Sequence, residues 1–259
     1  MAELPDLTVL AAILTRRFAG KILKEVEVKI ANKLNVPAKE LKLAIEGKKL
    51  KSVTREGKTI QLHFADDQVL AIHLMLRGEL VLINKENEAP RFGILYFHFA
   101  KEGFAVTDMQ QLATPTLNPA ISTVPDALSK EMDLEYFSAL LAKKRTAIKT
   151  LLMDQHLIRG IGNSYSDEIL WHAKISPFAI SKAIPAVAVK KLYQSLHAVL
   201  EKAIADIEKE NGDELTGELR DFMKVHGAKI IKSPTGAPIK SEKIGGRLSY
   251  YTKEQELYI

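Results

Sequence analysis

The chain has 259 residues, 46% hydrophobic and 27% charged, with a formal net charge of +5 and no cysteine. That length suits two domains, each able to bury its own core, and the balance is that of an ordinary globular protein rather than a disordered or fibrous one. Without cysteine there are no disulfides, no thiol nucleophile and no cysteine-ligated zinc or iron–sulfur cluster. No apolar run approaches the roughly 18 residues that span a bilayer. The opening MAELPDLTVL carries acids where a secretory signal carries lysines, so a cytoplasmic protein with no membrane partner is expected. Basic residues gather at Lys48 to Lys58, Lys143 to Lys149 and Lys224 to Arg247. These stretches either form one stripe for a polyanion or are solvated surface.

Along the chain, Leu7, Leu10, Ile13 and Leu14 recur at helical spacing up to Gly20, which predicts a helix over 5–19. Short runs rich in Val, Ile, Leu and Phe follow at 24–30, 41–45, 60–64, 69–74, 80–83, 94–99 and 104–108, separated by Gly, Asp or Asn. They predict a β-sandwich behind a leading helix. Residues 114–130 hold Pro115, Pro119 and Pro125 among polar residues and read as a linker that closes a domain over 1–113. Apolar residues three or four apart then predict helices over 133–142, 145–155, 163–173, 185–210 and 215–226, in a helical domain over 131–228. The remainder, 229–259, returns to short strands, with turns at Thr235-Gly236 and Gly245-Gly246.

The run from Leu151 to Pro177, LLMDQHLIRGIGNSYSDEILWHAKISP, is the most informative. A helix ends near His156, Gly160 and Gly162 make a tight turn, and Asn163 opens the next helix. Two glycines around one apolar residue let backbone approach a phosphate, and the following helix N-terminus supplies N–H groups and partial positive charge. A Gly-rich helix–helix turn that binds nothing is the competing reading. A dinucleotide fingerprint is disfavoured, because that motif follows a strand and this one follows a helix.

Residues 145–177, RTAIKTLLMDQHLIRGIGNSYSDEILWHAKISP, resemble the helix-two-turn-helix segment of the formamidopyrimidine-DNA glycosylase / endonuclease VIII (Fpg/Nei) superfamily. The resemblance implies that Lys149 and Asn163 contact DNA phosphates beside Gly160 and Gly162, and that Glu168 is the family's acid near the catalytic centre. GAPIKSEKIGGRLSYYTKEQ is similar to the second half of the family's zinc-finger hairpin, with Arg247 where an arginine grips the phosphates flanking a lesion. A guanidinium suits such a bidentate clamp. The family's four cysteine positions read Lys232, Thr235, Thr252 and Gln255, which cannot rebuild a tetrahedral sulfur site. The resemblance therefore implies a hairpin without zinc or other cofactor, held by strand pairing and by packing of Ile239, Leu248 and Tyr250.

The opening MAELPD is similar to the family's MPELPE, in which the exposed proline amine attacks C1′ and the next glutamate assists proton transfer. By that similarity Ala2 stands at the nucleophile, Glu3 at the acid/base, and Asp6 replaces a glutamate. An α-amine titrates at roughly 7.7–8.0 against roughly 10.4 for lysine, so Ala2 freed of Met1 is chemically able to form a Schiff base. Lys58, in SVTREGKTIQLHF, matches a family lysine on a phosphate-contacting hairpin. In LAIHLMLRGELVL, His73 and Leu74 match the pattern HLGMSGSL, and Leu76 falls where a methionine fills the vacated base space. VTDMQQLA aligns with FTDPRRFG, so Gln110, Gln111 and Leu112 replace the Arg-Arg-Phe that orients the orphaned base and wedges the stack. Base flipping costs a few kcal/mol that inserted side chains help offset, so the family's usual base preference does not carry over. Arg91-Phe92-Gly93 reads as a turn.

The resemblance covers nearly the whole chain. It implies an α+β fold and a monomeric DNA-repair protein that binds damaged or abasic duplex DNA, a glycosylase with AP lyase activity through the N-terminal amine. The alternatives are a non-catalytic damaged-DNA or DNA-structure-binding protein, and a glycosylase for atypical lesions.

Overall fold

The amphipathic start of the chain folds as helix α1 (Leu4–Phe18) in a computed structural model that describes residues 1–84, 89–215 and 218–259. The molecule divides into two units, and the first comprises Met1–Ile121 with Ile207–Leu219. After α1 it holds β1 (Glu25–Val28), α2 (Ala38–Ile45), β2 (Leu50–Glu56), β3 (Thr59–Phe64), β4 (Val69–His73), β5 (Glu79–Asn84), β6 (Gly93–His98), β7 (Glu102–Thr107) and β8 (Thr114–Leu117). The strands form two antiparallel sheets in the orders β1-β6-β7-β5 and β2-β3-β4-β8. Period-two patterning sets their faces: along β3, Ile60, Leu62 and Phe64 are buried while Thr59, Gln61 and His63 are not. Leu7, Leu10, Leu14 and Phe18 of α1 join Leu62 and Phe64 of one sheet and Phe97 and Phe104 of the other in one apolar cluster. The Phe18 ring lies 4.7 Å from that of Phe99 and 5.2 Å from that of Phe104, so the helix closes the sandwich.

Two expectations for this unit are corrected. Residues 41–45 form the end of helix α2 and not a strand: Leu41 and Ile45, one helical turn apart, are fully buried while Leu43 is 73% exposed. The alternation of LKLAI suggested a strand, but burial of an i, i+4 pair selects the helix. The expected linker begins as a strand, since β8 pairs with β4 through Leu70 opposite Leu117.

The second unit comprises Ser122–Asp206 with Arg220–Ile259. Its elements are α3 (Leu134–Ala142), α4 (Ile148–Met153), α5 (Asn163–Ala173), α6 (Ala186–Asn211, of which this unit holds the part up to Asp206), β9 (Lys240–Ile244) and β10 (Arg247–Tyr251). Asp133 caps α3 by accepting the Tyr136 N–H at 2.7 Å. Strands β9 and β10 are joined by Gly245-Gly246, both at positive φ (54° and 77°), as a two-residue hairpin turn between right-twisted strands requires.

The helix expected over 215–226, of which 216 and 217 lie outside the described residues, does not form over 218–226. The N–H groups of Lys224, Val225 and His226 are instead taken by the carboxylate of Glu168. The basis expected for the hairpin is also corrected, because Leu248 is 40% exposed and Ile239 only half-buried, while Ser249 is wholly buried in a polar network. Among the described residues no helix is long and apolar enough to cross a membrane.

Candidate active site and nucleic-acid interface

In the first unit, Leu4 and Pro5 start α1, and Glu3 just before them donates its backbone N–H to Asp6 Oδ2 at 2.9 Å. Pro fits here because the first N–H groups of a helix have no intrahelical partner. Both acids are buried, and this braced first turn fixes Ala2, itself 9% exposed. Ala2, Asp6, Leu10, Leu76 and Glu218 line a cavity of about 360 Å³, and the Met1 ammonium pairs with Glu218 there.

Leu76 rides on the turn between β4 and β5 and is 49% exposed. The turn is tight: the Gly78 N–H donates to Leu74 O at 2.9 Å, and a Cβ on Gly78 would lie 2.2 Å from that same oxygen. Met75 at φ 56° donates its N–H to His73 Nδ1 at 3.0 Å. Burial, reinforced by the charge of Lys58, pushes the His73 pKa down. His73 is therefore a neutral acceptor here. Lys58 is half-buried at the two-residue turn joining β2 to β3, where Glu56 pairs with Thr59. Past β7, buried Asp108 accepts the N–H groups of Gln110 (2.8 Å), Leu112 (2.7 Å) and Ala113 (2.9 Å), which builds the loop and leaves Gln110 and Gln111 exposed at its tip. Lys48 and Lys51 of the first basic stretch pair with Asp66 and Asp67 at 2.6 and 3.5 Å, which favours the solvated-surface reading for them.

In the second unit, the turn from α4 to α5 is braced by Gln155, which accepts the Gly160 N–H at 2.9 Å and donates to Ile161 O at 2.8 Å. Gly160 has φ 103°, which a side chain would strain. Gly162 is the N-cap of α5 and Asn163 its first residue. Asn163 Nδ2 donates to Leu248 O at 3.1 Å, which uses one of its two N–H groups. Arg247 is exposed at the start of β10, directly after the Gly245-Gly246 turn.

Lys149 departs from expectation. Its side chain is wholly buried, with Nζ 2.7 Å from Asp167 Oδ1 and 3.4 Å from Leu248 O. The ammonium is thus held inside the protein by a carboxylate rather than presented to a phosphate. Asp167 was not singled out from sequence, yet it also accepts from Ser249 Oγ (2.7 Å), Tyr250 N (2.9 Å) and His226 Nδ1 (2.7 Å). Its one sequence signal was position: an acid next to Glu168 on a helix whose neighbours Tyr165 and Ile169 are core. Glu168 is buried with its carboxylate on the 224–226 backbone, so its contribution is to hold that segment.

At the positions matched to cysteine, the Thr235 and Thr252 hydroxyls donate to Glu254 Oε2 at 2.8 and 3.1 Å, and Gln255 accepts the Thr252 N–H and donates to Ile175 O, both at 2.8 Å. Lys174 Nζ lies 3.4 Å from Glu254 Oε1 and 4.5 Å from the Trp171 ring centroid. Hydrogen bonds from Thr235 and Thr252, with the nearby Lys174 charge, hold the Glu254 carboxyl below the usual carboxylate range. A carboxylate and hydroxyl cluster ties this base of the hairpin.

The model of the formamidopyrimidine-DNA glycosylase N-terminal domain matches residues 1–114, and that of the formamidopyrimidine-DNA glycosylase H2TH domain matches residues 124–212. The formamidopyrimidine-DNA glycosylase of Streptococcus mutans is 28% identical over 271 residues, covering 97% of each chain. That of Pelotomaculum thermopropionicum is 28% identical over 275 residues, again with 97% of each covered. Among solved structures, the Lactococcus lactis Fpg bound to DNA containing an abasic site superposes with a TM-score of 0.87 at 26% identity, over 98% of this chain and 100% of that one. With both domain models matched in order and the relatives aligned over nearly their whole length, the chain belongs to the Fpg/Nei superfamily.

Proposed function

We infer that this chain is a DNA-repair glycosylase with AP lyase activity that engages damaged or abasic duplex DNA as a cytoplasmic monomer. The observation that carries this reading is the placement of Ala2: next to the Glu3–Asp6 turn, at the wall of a cavity that Leu76 also lines. Ala2 is small enough to allow removal of Met1, which uncovers its amine. That amine adds to C1′ as the bond to the damaged base breaks and the base leaves with a proton. Proton transfer to the ring oxygen, with Glu3 as the acid, then opens the sugar to a Schiff base between Ala2 and C1′. Loss of a proton from C2′ expels the 3′ phosphate, and hydrolysis of the imine regenerates the amine.

Asn163, the Gly160–Gly162 turn, Arg247 and Lys58 supply donors and charge for the DNA backbone, which positions the duplex without reading its sequence. Lys149 contributes indirectly, by holding the β10 backbone through Leu248 O and Asp167.

The test is the mass of the N-terminus together with borohydride trapping on a duplex containing one abasic site. An adduct mapping to Ala2 is expected. A free Ala2 that binds the duplex tightly yet gives no adduct overturns the enzyme in favour of a non-catalytic damage-binding protein.

A further inference from the structure

We propose that Phe92 is the side chain that wedges into the duplex when a base is extruded, a role that rests on the glycosylase reading above. Sheet register places it. Thr107, the last residue of β7, pairs with Glu79, the first of β5, on one side and with Gly93, the first of β6, on the other. The segments just outside these residues therefore leave one end of the sheet together: the Leu76 turn before β5, the Met109–Leu112 loop after β7, and the Arg91-Phe92 turn before β6. Strand spacing sets the outer two about 10 Å apart, with the β7 loop between them. Leu76 lines the cavity that holds Ala2, so this sheet end is the one beside the reacting carbon.

Three features of Phe92 ask for an explanation that folding does not give. Its side chain is 50% exposed, so it contributes little to the core. Its backbone sits at φ 60°, a left-handed conformation that is a genuine outlier for a bulky residue. That strained turn is nevertheless pinned, because the Asp108 N–H donates to Phe92 O at 2.9 Å. Strain held in place by surrounding structure is characteristic of functional positions. The Arg91 guanidinium lies 5.6 Å from the Phe92 ring centroid, which gives the aromatic a cationic neighbour suited to a phosphate-lined groove. Gln110 and Gln111 at the loop tip offer only amides, so Phe92 is the aromatic among these three segments. Apolar side chains inserted between base steps unstack and kink a duplex, and an extruded base leaves the gap for them to enter.

The variants are Phe92→Asn, which tolerates the left-handed backbone while removing the ring, and Phe92→Tyr, which keeps it. The probe is a duplex with one abasic site and a 2-aminopurine on the opposite strand, whose fluorescence rises when it is unstacked. Wild-type protein and Phe92→Tyr raise the signal. Phe92→Asn loses most of that rise with an unchanged melting temperature, and traps the abasic duplex roughly tenfold more slowly, as expected for loss of one aromatic–base stack. Trapping of the same site in single-stranded DNA, which has no stack to wedge, stays at the wild-type rate. An undiminished fluorescence rise with Phe92→Asn overturns the proposal, as does equal slowing on single and double strands. If wild-type protein traps neither substrate, the lyase reading fails, and the fluorescence arm still decides the wedge by itself.

Discussion

Lys149 Nζ and Asp167 Oδ1 lie 2.7 Å apart with both side chains wholly buried, one on α4 and the other on α5. The same carboxylate holds Ser249 and Tyr250 of β10, so the pair joins the helix-two-turn-helix to the strand that carries Arg247. Removing one partner takes from the other the opposite charge that accompanies its burial. Asp167→Ala should therefore destabilise the fold by about 3–5 kcal/mol, measured by urea unfolding. The double variant Lys149→Met with Asp167→Asn, which buries no net charge, should recover much of that loss. An Asp167→Ala protein as stable as wild type would show that the network adds nothing.

Arg247, which is exposed, and Asn163, the first residue of α5, predict contacts that are indifferent to sequence. Arg247→Ala and Asn163→Ala should each weaken binding to unrelated duplexes alike, by roughly tenfold to a hundredfold for the charged contact. Loss of Arg247 should also lower the slope of log affinity against log salt by about one unit. Fluorescence anisotropy over a salt series measures both quantities, and an unchanged slope removes Arg247 from the grip.

Glu254 gathers the hydroxyls of Thr235 and Thr252, so its loss should loosen the hairpin base. Glu254→Ala leaves these groups without their acceptor and should lower the melting temperature measured by thermal unfolding, whereas an unchanged melting temperature would show that the cluster does not hold the hairpin. A strong chelator should leave the melting temperature of the wild type where it was, because no sulfur ligands are present to hold zinc. A chelator-sensitive transition would point to a metal bound by other residues.

The depressed pKa of His73, caused first by burial and then by the charge of Lys58, makes stability depend on pH with a definite sign. An unfolded histidine titrates at about 6.5, and the folded one lower. As pH falls through about 6.5 the unfolded chain takes up a proton that the folded chain refuses, so stability is complete above that value and declines below it until the folded pKa is reached. His63 and His172, both lowered chiefly by burial, add in the same direction. His73→Asn can still accept the Met75 N–H and cannot titrate, so it should flatten the decline measured by thermal melts between about pH 7 and pH 5. An identical pH profile for wild type and variant would assign the decline to other groups.

The sequence by itself determined the features that rest on local chemistry. The i, i+3, i+4 spacing of Leu7, Leu10 and Leu14 specified α1, alternation specified β3, the Gly245-Gly246 pair specified the β9–β10 turn, and Gly160 reserved a backbone conformation closed to other residues. Residue identities matched Ala2, Glu3, Asn163 and Arg247 to family positions, because these motifs are short and contiguous. Tertiary structure decided the cases where a local preference of a few tenths of a kcal/mol met stronger burial and hydrogen bonding. Burial of Leu41 with Ile45 turned an apparent strand into α2. Three N–H groups captured by Glu168 displaced a helix whose apolar spacing was sound. Asp167 drew Lys149 inward from eighteen residues along the chain. The pairing of Thr107 with both Glu79 and Gly93 brought Phe92 beside the Leu76 turn, since register is a relation between strands that no single stretch of sequence contains.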